Sequence, residues 1–449
     1  MAIVANFSQK LLGDWKMNTF SKILKGDKVI WFLAFLLGII SLVVVYSATS
    51  VLVVSKYDGN TGRMMMKHLG MLLFGFVMML GASRLNYKSY AKIALLLMIP
   101  CLALLMYTLA FGSNLNDASR SIRVGGFSFQ PSEMAKIILI TYLSRQIIMM
   151  EGSVYQFKEF LIKLGLPILV TAALIFSENL STALILLAVS MVLLFIGRVK
   201  FLHILALVGL CVVGMGIYLG VDAIKTSIQN KQGMKAHQEA VARGESKEVY
   251  HEKQNRILTW TNRLKSMGED ETNVDRFDDK HMQRTYADIA VASSSVFGKG
   301  PGKSEQRNFL PHPYSDFIYA IIIEEYGLIG GIVVLMLYVI FFTRVLRIVI
   351  KRPLTFGALM AFGLGFLVIL QAMVNMGVSI GLLPVTGQPL PMVSMGGTSL
   401  MATGIIFGMI LSVTHSMGDD TMNKEQEIQA LTEAIEDERE LEREPESCD

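Results

Sequence analysis

Charge is scarce in this chain: Asp, Glu, Lys and Arg together make 17% of its 449 residues, where soluble domains carry about a quarter. Much of its surface must therefore face something other than water, and lipid is the medium the composition points to. Cysteine is nearly missing too. Of the three present, Cys101 and Cys211 fall inside apolar runs and Cys448 in a polar tail, so no disulfide or metal framework is suggested. His68 and His203 stand alone on apolar stretches without a ligand-spaced partner, which suits core or helix-interface roles better than metal binding. A net charge of +4 gives no argument for nucleic acid as a partner.

What the chain has instead is hydrophobic length. Apolar residues make 52% of it and mean hydropathy is +0.48, arranged in long runs, and roughly 20 such residues cross a bilayer core as a helix. The runs near 29–53, 67–83, 92–112, 131–149, 161–177, 181–197, 201–220, 317–345, 356–382 and 397–416 predict an all-α polytopic membrane protein of about ten transmembrane helices. Lys10, Lys16, Lys22, Lys25 and Lys28 precede the first run, Arg84, Lys88 and Lys92 come two crossings later, and Arg344, Arg347, Lys351 and Arg352 follow the eighth. A cytoplasmic amino terminus puts all of these on the cytoplasmic side, as the positive-inside bias requires.

The expected organisation is a cytoplasmic segment 1–28, helices one to seven within 29–220, a long extracytoplasmic segment 221–316, helices eight to ten within 317–416, and an acidic cytoplasmic tail 417–449. The first run is too long for a signal sequence and lacks a small-residue cleavage site, so it is read as a retained span. In the tail, Ile428, Leu431 and Ile435 recur at helical spacing among glutamates, as in a solvated amphipathic helix.

Ionisable groups at membrane depth are costly, and so mark candidate sites. Ser315 and Asp316 directly precede the eighth run, which contains Glu324 and Glu325. Either of the first two could cap the helix, and Asp316 could equally act at its mouth. A second cluster is Arg120 with Arg123, followed by Gln130, Pro131, Glu133 and Lys136. Pro131 suits a first helical turn, and Glu133 and Lys136, three apart, share a face as a local surface ion pair or as part of an anion site. Arg120 and Lys136 could offer their cations to a pyrophosphate. A third feature is the stretch 383–399, broken by Pro384, Pro389 and Pro391 and by Gly387, Gly396 and Gly397. Such backbone survives at membrane depth only where protein or a watery cavity covers it, as in a re-entrant segment lining a cleft. Gly298 to Ser304 imitates a phosphate loop but is one residue short between Gly298 and the Gly302-Lys303-Ser304 run.

Val45-Tyr46-Ser47-Ala48, Phe129-Gln130-Pro131-Ser132-Glu133 with Lys136, Leu310-Pro311 with Ser315-Asp316-Phe317-Ile318, Glu324-Glu325-Tyr326-Gly327-Leu328-Ile329-Gly330, and Leu383-Pro384-Val385-Thr386-Gly387 through Gly396-Gly397 together resemble the FtsW/RodA (SEDS) family across nearly the whole membrane portion. The resemblance implies ten spans and a glycosyltransferase that extends peptidoglycan strands from lipid II beside a class B penicillin-binding protein. It places the family's essential aspartate on Asp316. The polar amino terminus and Gly26-Asp27 look closer to the division member than to the elongation member, which implies septal work among other division-machinery membrane proteins of the bacterial inner membrane. Departures are Arg120-Ser121 for the usual Arg-Trp, Asn179 for an aspartate after the fifth span, and Ser294-Ser295 for a Gly-Gly pair.

The implied reaction needs a base for the acceptor hydroxyl and positive charge for the leaving pyrophosphate. Asp316 is the expected base and Arg120 with Lys136 the expected cations. Gln130, Glu133, Ser315 and Glu324 complete the substrate-facing set. A divalent cation, Mg or Mn, could share the pyrophosphate work, although no ligand set in the sequence compels one. A lipid II transporter needs many of the same features, and a non-enzymatic division scaffold is a third reading.

Overall fold

Each of the ten apolar runs folds as a helix in the computed structural model, which describes residues 24–49, 61–111, 113–115, 118–124, 127–150, 156–242, 282–310, 313–351 and 355–416. The acidic tail, most of the polar leader and residues 243–281 lie outside the described residues. In chain order the helices are α1 (Lys28–Ala48), α2 (Thr61–Arg84), α3 (Tyr87–Phe111) and α4 (Pro131–Met149). Then come α5 (Phe157–Glu178), α6 (Leu180–Ile196), α7 (Phe201–Ala242), the short α8 (Met282–Ala292), α9 (Ile318–Lys351), α10 (Phe356–Ser379) and α11 (Gly397–Ser416). Eight are long and apolar enough to cross a bilayer. Of the other three, α8 is a short polar helix, α6 is apolar but short, and α4 carries Glu133, Lys136 and Arg145 within its 19 residues.

Helix starts follow capping chemistry. The Asp27 carboxylate accepts from the Val29 amide at 2.7 Å ahead of α1, Pro131 opens α4, and Thr355 accepts from the Ala358 amide ahead of α10. Asn179 receives the amides of Ser181 and Thr182 at 3.0 and 3.4 Å. Its short polar side chain thus starts α6 as an N-cap, a job that Asn and Asp do about equally well.

Three features go beyond the sequence expectation. First, α7 continues to Ala242, about six turns into the segment expected to be a loop from 221 onwards, because that stretch is rich in Ala, Lys and Gln, all good helix formers. Second, α5 contains a π turn at Leu161–Gly165. Pro167 has no amide to offer the Lys163 carbonyl, and that carbonyl accepts the Tyr142 hydroxyl of α4 at 3.2 Å instead. Third, the chain between α3 and α4 forms a small antiparallel meander of β1 (Ser113–Leu115), β2 (Ala118–Val124) and β3 (Phe127–Phe129).

Helix α10 is central, buried along most of its length against α4, α6 and α9, whereas α7 leaves most of its apolar surface open, as a lipid-facing helix would. Close approach of α2 and α11 depends on glycine: a Cβ at Gly404 would stand 2.2 Å from the Gly75 carbonyl oxygen. Small residues at such crossings let membrane helices pack backbone to backbone.

The two ends of the bundle are distinct. At one, Asp27 meets Arg344 at 3.4 Å, its amide donates to Thr414, Ser412 donates to the Leu85 carbonyl and Tyr87 stacks on Phe356. The basic residues around the start of α1, the α2–α3 corner and the end of α9 therefore gather at one end, as expected. The opposite end collects the carboxyl ends of α1, α5 and α10 and the amino ends of α6 and α9, together with the stretch 380–396.

Candidate active site

The stretch after α10 descends into the bundle rather than running over it. Left-handed backbone at Gly381, Gly387 and Met392 turns it (φ 75°, 65° and 62°). Buried carbonyls along it need donors, and side chains of the surrounding helices supply them. Ser41 of α1 donates to the Val393 carbonyl at 2.7 Å while meeting His68 of α2 at 2.9 Å. Tyr338 of α9 donates to the Pro391 carbonyl, and Asn375 of α10 to the Gln388 carbonyl at 2.7 Å. The Gln388 amide donates in turn to Thr182 in the first turn of α6, at 2.7 Å.

Against this segment lies the residue pair singled out ahead of α9. Three consecutive carbonyls, those of Tyr314, Ser315 and Asp316, each receive a donor: the Met395 amide at 2.9 Å, the Ser394 hydroxyl at 2.5 Å and the Asn375 amide at 2.9 Å. The Ser315 hydroxyl donates to the Asp316 carboxylate at 2.9 Å, so it is directed at the carboxylate rather than at a helix amide. Asp316 is half-buried, on a backbone that cannot shift without breaking several hydrogen bonds.

Glu133 and Lys136 meet at 2.9 Å, as their spacing predicts. The pair is not on the surface, however: Lys136 is 1% exposed and Glu133 7%, because α4 is enclosed by α3, α6 and α10. Gln130 precedes α4 and donates to Ser132 at 3.1 Å. The backbone of Arg120 runs in β2, and its side chain lies outside the described set.

Glu324 was expected to face substrate, and its geometry points elsewhere. Its carboxylate is fully buried and takes the Lys299 ammonium at 2.8 Å, the Ser304 hydroxyl and the Glu305 amide. Its neighbour Glu325 takes the hydroxyl of Ser47, at the end of α1, and the Ser304 amide, and Arg307 bridges to Ser47 at 2.9 Å. The stretch that imitates a phosphate loop is thus one jaw of a clamp. The Lys299 and Gly300 amides bond the Glu324 and Glu325 carbonyls, both at 2.9 Å, where α9 breaks at Gly327 (φ 71°, ψ −171°). The hydrogen bond to Glu324 holds the Lys299 ammonium above the usual lysine range.

Apart from Arg120 in β2, the expected site residues therefore separate into three groups: Ser315 and Asp316 ahead of α9 and against the buried segment, Gln130, Glu133 and Lys136 at the start of α4, and Glu324 in the clamp. Asn375 and Gln388 were missed. Gln371 and Asn375, four apart on one face of an otherwise apolar α10, carried the signal, since polar side chains at membrane depth seldom lack a partner. Among the described residues no three His, Cys, Asp or Glu side chains converge as metal ligands. The described side chains do not by themselves build a cation site.

Residues 27–418 match the model of the cell cycle protein family of FtsW, RodA and SpoVE. A probable peptidoglycan glycosyltransferase FtsW of Geobacter metallireducens is 30% identical over 410 residues, covering 90% of this chain and 98% of that one. Stage V sporulation protein E of Bacillus subtilis is 28% identical over 399 residues, 86% of this chain and 96% of that one. Two solved structures share the fold. A chain from a peptidoglycan synthase complex that coordinates polymerization and crosslinking superposes with TM-score 0.61 at 22% identity, over 87% of this chain and 98% of that one. The rod shape determining protein RodA of Thermus thermophilus does so with TM-score 0.57 at 21% identity, over 87% and 97%.

Proposed function

Because this chain belongs to the FtsW, RodA and SpoVE family of cell cycle proteins, we propose that it is a peptidoglycan glycosyltransferase that polymerises lipid II into glycan strands with Asp316 as its base. The observation that carries this reading is the placement of Asp316, a half-buried carboxylate on a backbone locked through three successive carbonyls where a buried non-helical segment meets α9. A general base must be held within hydrogen-bond reach of the proton it removes, and rigid placement is what makes such a group effective.

In the reaction, the Asp316 carboxylate takes the proton of the acceptor sugar's 4-hydroxyl as that oxygen bonds to the donor's anomeric carbon. The bond from that carbon to undecaprenyl pyrophosphate breaks, and the leaving group carries away the electron pair. Ser315 orients the base through its hydrogen bond to the carboxylate. Lys136, an ammonium with three donors of which Glu133 engages one, and Arg120 of β2 would meet the developing negative charge on the pyrophosphate. Gln130, beside Pro131 at the start of α4, offers a further polar contact. Glu324 acts indirectly, by holding the 299–305 segment.

The protein is a multi-pass membrane protein, and the basic end of the bundle is assigned to the cytoplasm of the bacterial inner membrane, which puts Asp316 outside. A class B penicillin-binding protein would crosslink the strands beside it, with other division proteins at the septum. The test is lipid II polymerisation by purified protein with that partner, its transpeptidase blocked. Asp316→Asn is expected to lose at least about a hundredfold in rate. Glycan chains made equally well by this variant would sink the base assignment, and none from well-folded wild type would favour lipid II transport instead.

A further inference from the structure

Asn375 lies one helix away from the proposed base and outside every sequence motif described above, yet its side chain makes two contacts that bear on that base. It is 1% exposed. Its two amide hydrogens reach two different segments, the Asp316 carbonyl at 2.9 Å and the Gln388 carbonyl at 2.7 Å. The first is the carbonyl of the base itself. The second belongs to the residue whose own side chain is anchored on α6 through Thr182. One planar amide thus ties the base's own carbonyl to α10 and to the buried segment.

We propose that Asn375 is a positioning residue for the glycosyl transfer, fixing the Asp316 carboxylate by tying its backbone to the 388–394 segment; this rests on Asp316 being the base. The other two ties, from Met395 and Ser394 to the Tyr314 and Ser315 carbonyls, hold the approach to Asp316, whereas Asn375 grips the carbonyl of Asp316 itself, and a shift of that peptide moves the attached carboxylate. A displacement of about 1 Å at a reacting group costs on the order of a hundredfold in rate. Substrate need not be bound less well, because both amide hydrogens of Asn375 are already engaged by backbone carbonyls.

The experiment is steady-state lipid II polymerisation by the full chain with its penicillin-binding partner, resolving kcat from KM, with thermal unfolding measured in parallel. Asn375→Leu keeps the branched outline and removes both donors; it is expected to lower kcat by at least about tenfold with KM within about twofold of wild type. Asn375→Gln keeps an amide on a longer stem and is expected to recover part of that loss. Ser41→Ala loosens the same segment at Val393 without touching Asp316, and is expected to lower the melting temperature while kcat stays within about twofold. A wild-type kcat in folded Asn375→Leu would overturn the proposal. So would a Ser41→Ala variant that loses kcat as severely, since loosening alone would then explain the effect. If Asn375→Leu fails to fold, Asn375→Gln decides: reduced kcat at unchanged KM supports positioning, and wild-type kinetics with reduced stability overturn it. A wild-type rate in Asp316→Asn would sink the base assignment itself, whereas an inactive Asp316→Asn beside a fully active Asn375→Leu would sink only the positioning role.

Discussion

At the scale of single residues, the Glu133–Lys136 pair changes meaning with its surroundings. On a surface such a pair contributes little, about 0–1 kcal/mol, but here it is enclosed by three helices and almost unexposed. Removing one partner leaves an uncompensated charge in the bundle. Lys136→Met is expected to destabilise by about 3–5 kcal/mol, and Glu133→Gln with Lys136→Met to recover most of it, as read by thermal unfolding in detergent. Polymerisation separates the two roles open to Lys136. If its ammonium serves the pyrophosphate, the double variant stays inactive although it is stable again; recovery of activity together with stability would make the lysine purely structural.

At the scale of elements, α9 is interrupted where its most polar turn meets the 296–300 segment. A Cβ on Gly327 would stand 2.2 Å from the Val296 carbonyl oxygen, and φ there is +71°, so neither the space nor the backbone geometry admits a side chain. Gly327→Ala is expected to cost more than about 4 kcal/mol, in the range reserved for broken backbone geometry. Its measure is the yield of monodisperse protein by size-exclusion chromatography, and a wild-type yield and melting temperature would show that the clamp is dispensable. The π turn of α5 is an element-scale effect as well. Pro167 would leave the Lys163 carbonyl unpaired, and the Tyr142 hydroxyl of the neighbouring helix makes good the loss.

At the scale of the whole molecule, the clamp of Lys299, Ser304, Arg307, Glu324, Glu325 and Ser47 joins the end of α1 to α9 through the segment ahead of the proposed base. Because the hydrogen bond to Glu324 raises the Lys299 pKa in the folded protein, the contribution is fully present below the ordinary lysine value of about 10.4. It is lost as pH rises through the folded-state value above that. Lys299→Met is therefore expected to be less stable than wild type by about 1.5–3 kcal/mol near neutral pH. The difference should narrow under strongly alkaline conditions, as followed by thermal unfolding across pH. A difference that stayed unchanged through that alkaline range would show that the wrong group had been assigned.

Hydropathy and charge placement by themselves determined the ten helices, the common end of the basic clusters and the candidacy of Asp316, because crossing a bilayer is a demand that each run of about 20 residues meets on its own. The capping role of Asn179 was open to the same reading, being local to the turn it starts. Only the tertiary structure decided the rest. Asn375 reaches the Asp316 carbonyl across 59 residues and Gln388 reaches Thr182 across 206, separations over which no periodicity carries information. Glu324 and Asp316 read alike in the sequence, as carboxylates around one helix start, and they parted company because Lys299 and Ser304 fold back onto Glu324, whereas Asp316 meets the hydroxyl of its own neighbour Ser315. The burial of Lys136 was likewise set by the helices that enclose α4, so whether a charged pair is surface trim or a buried commitment was a question the packing alone could answer.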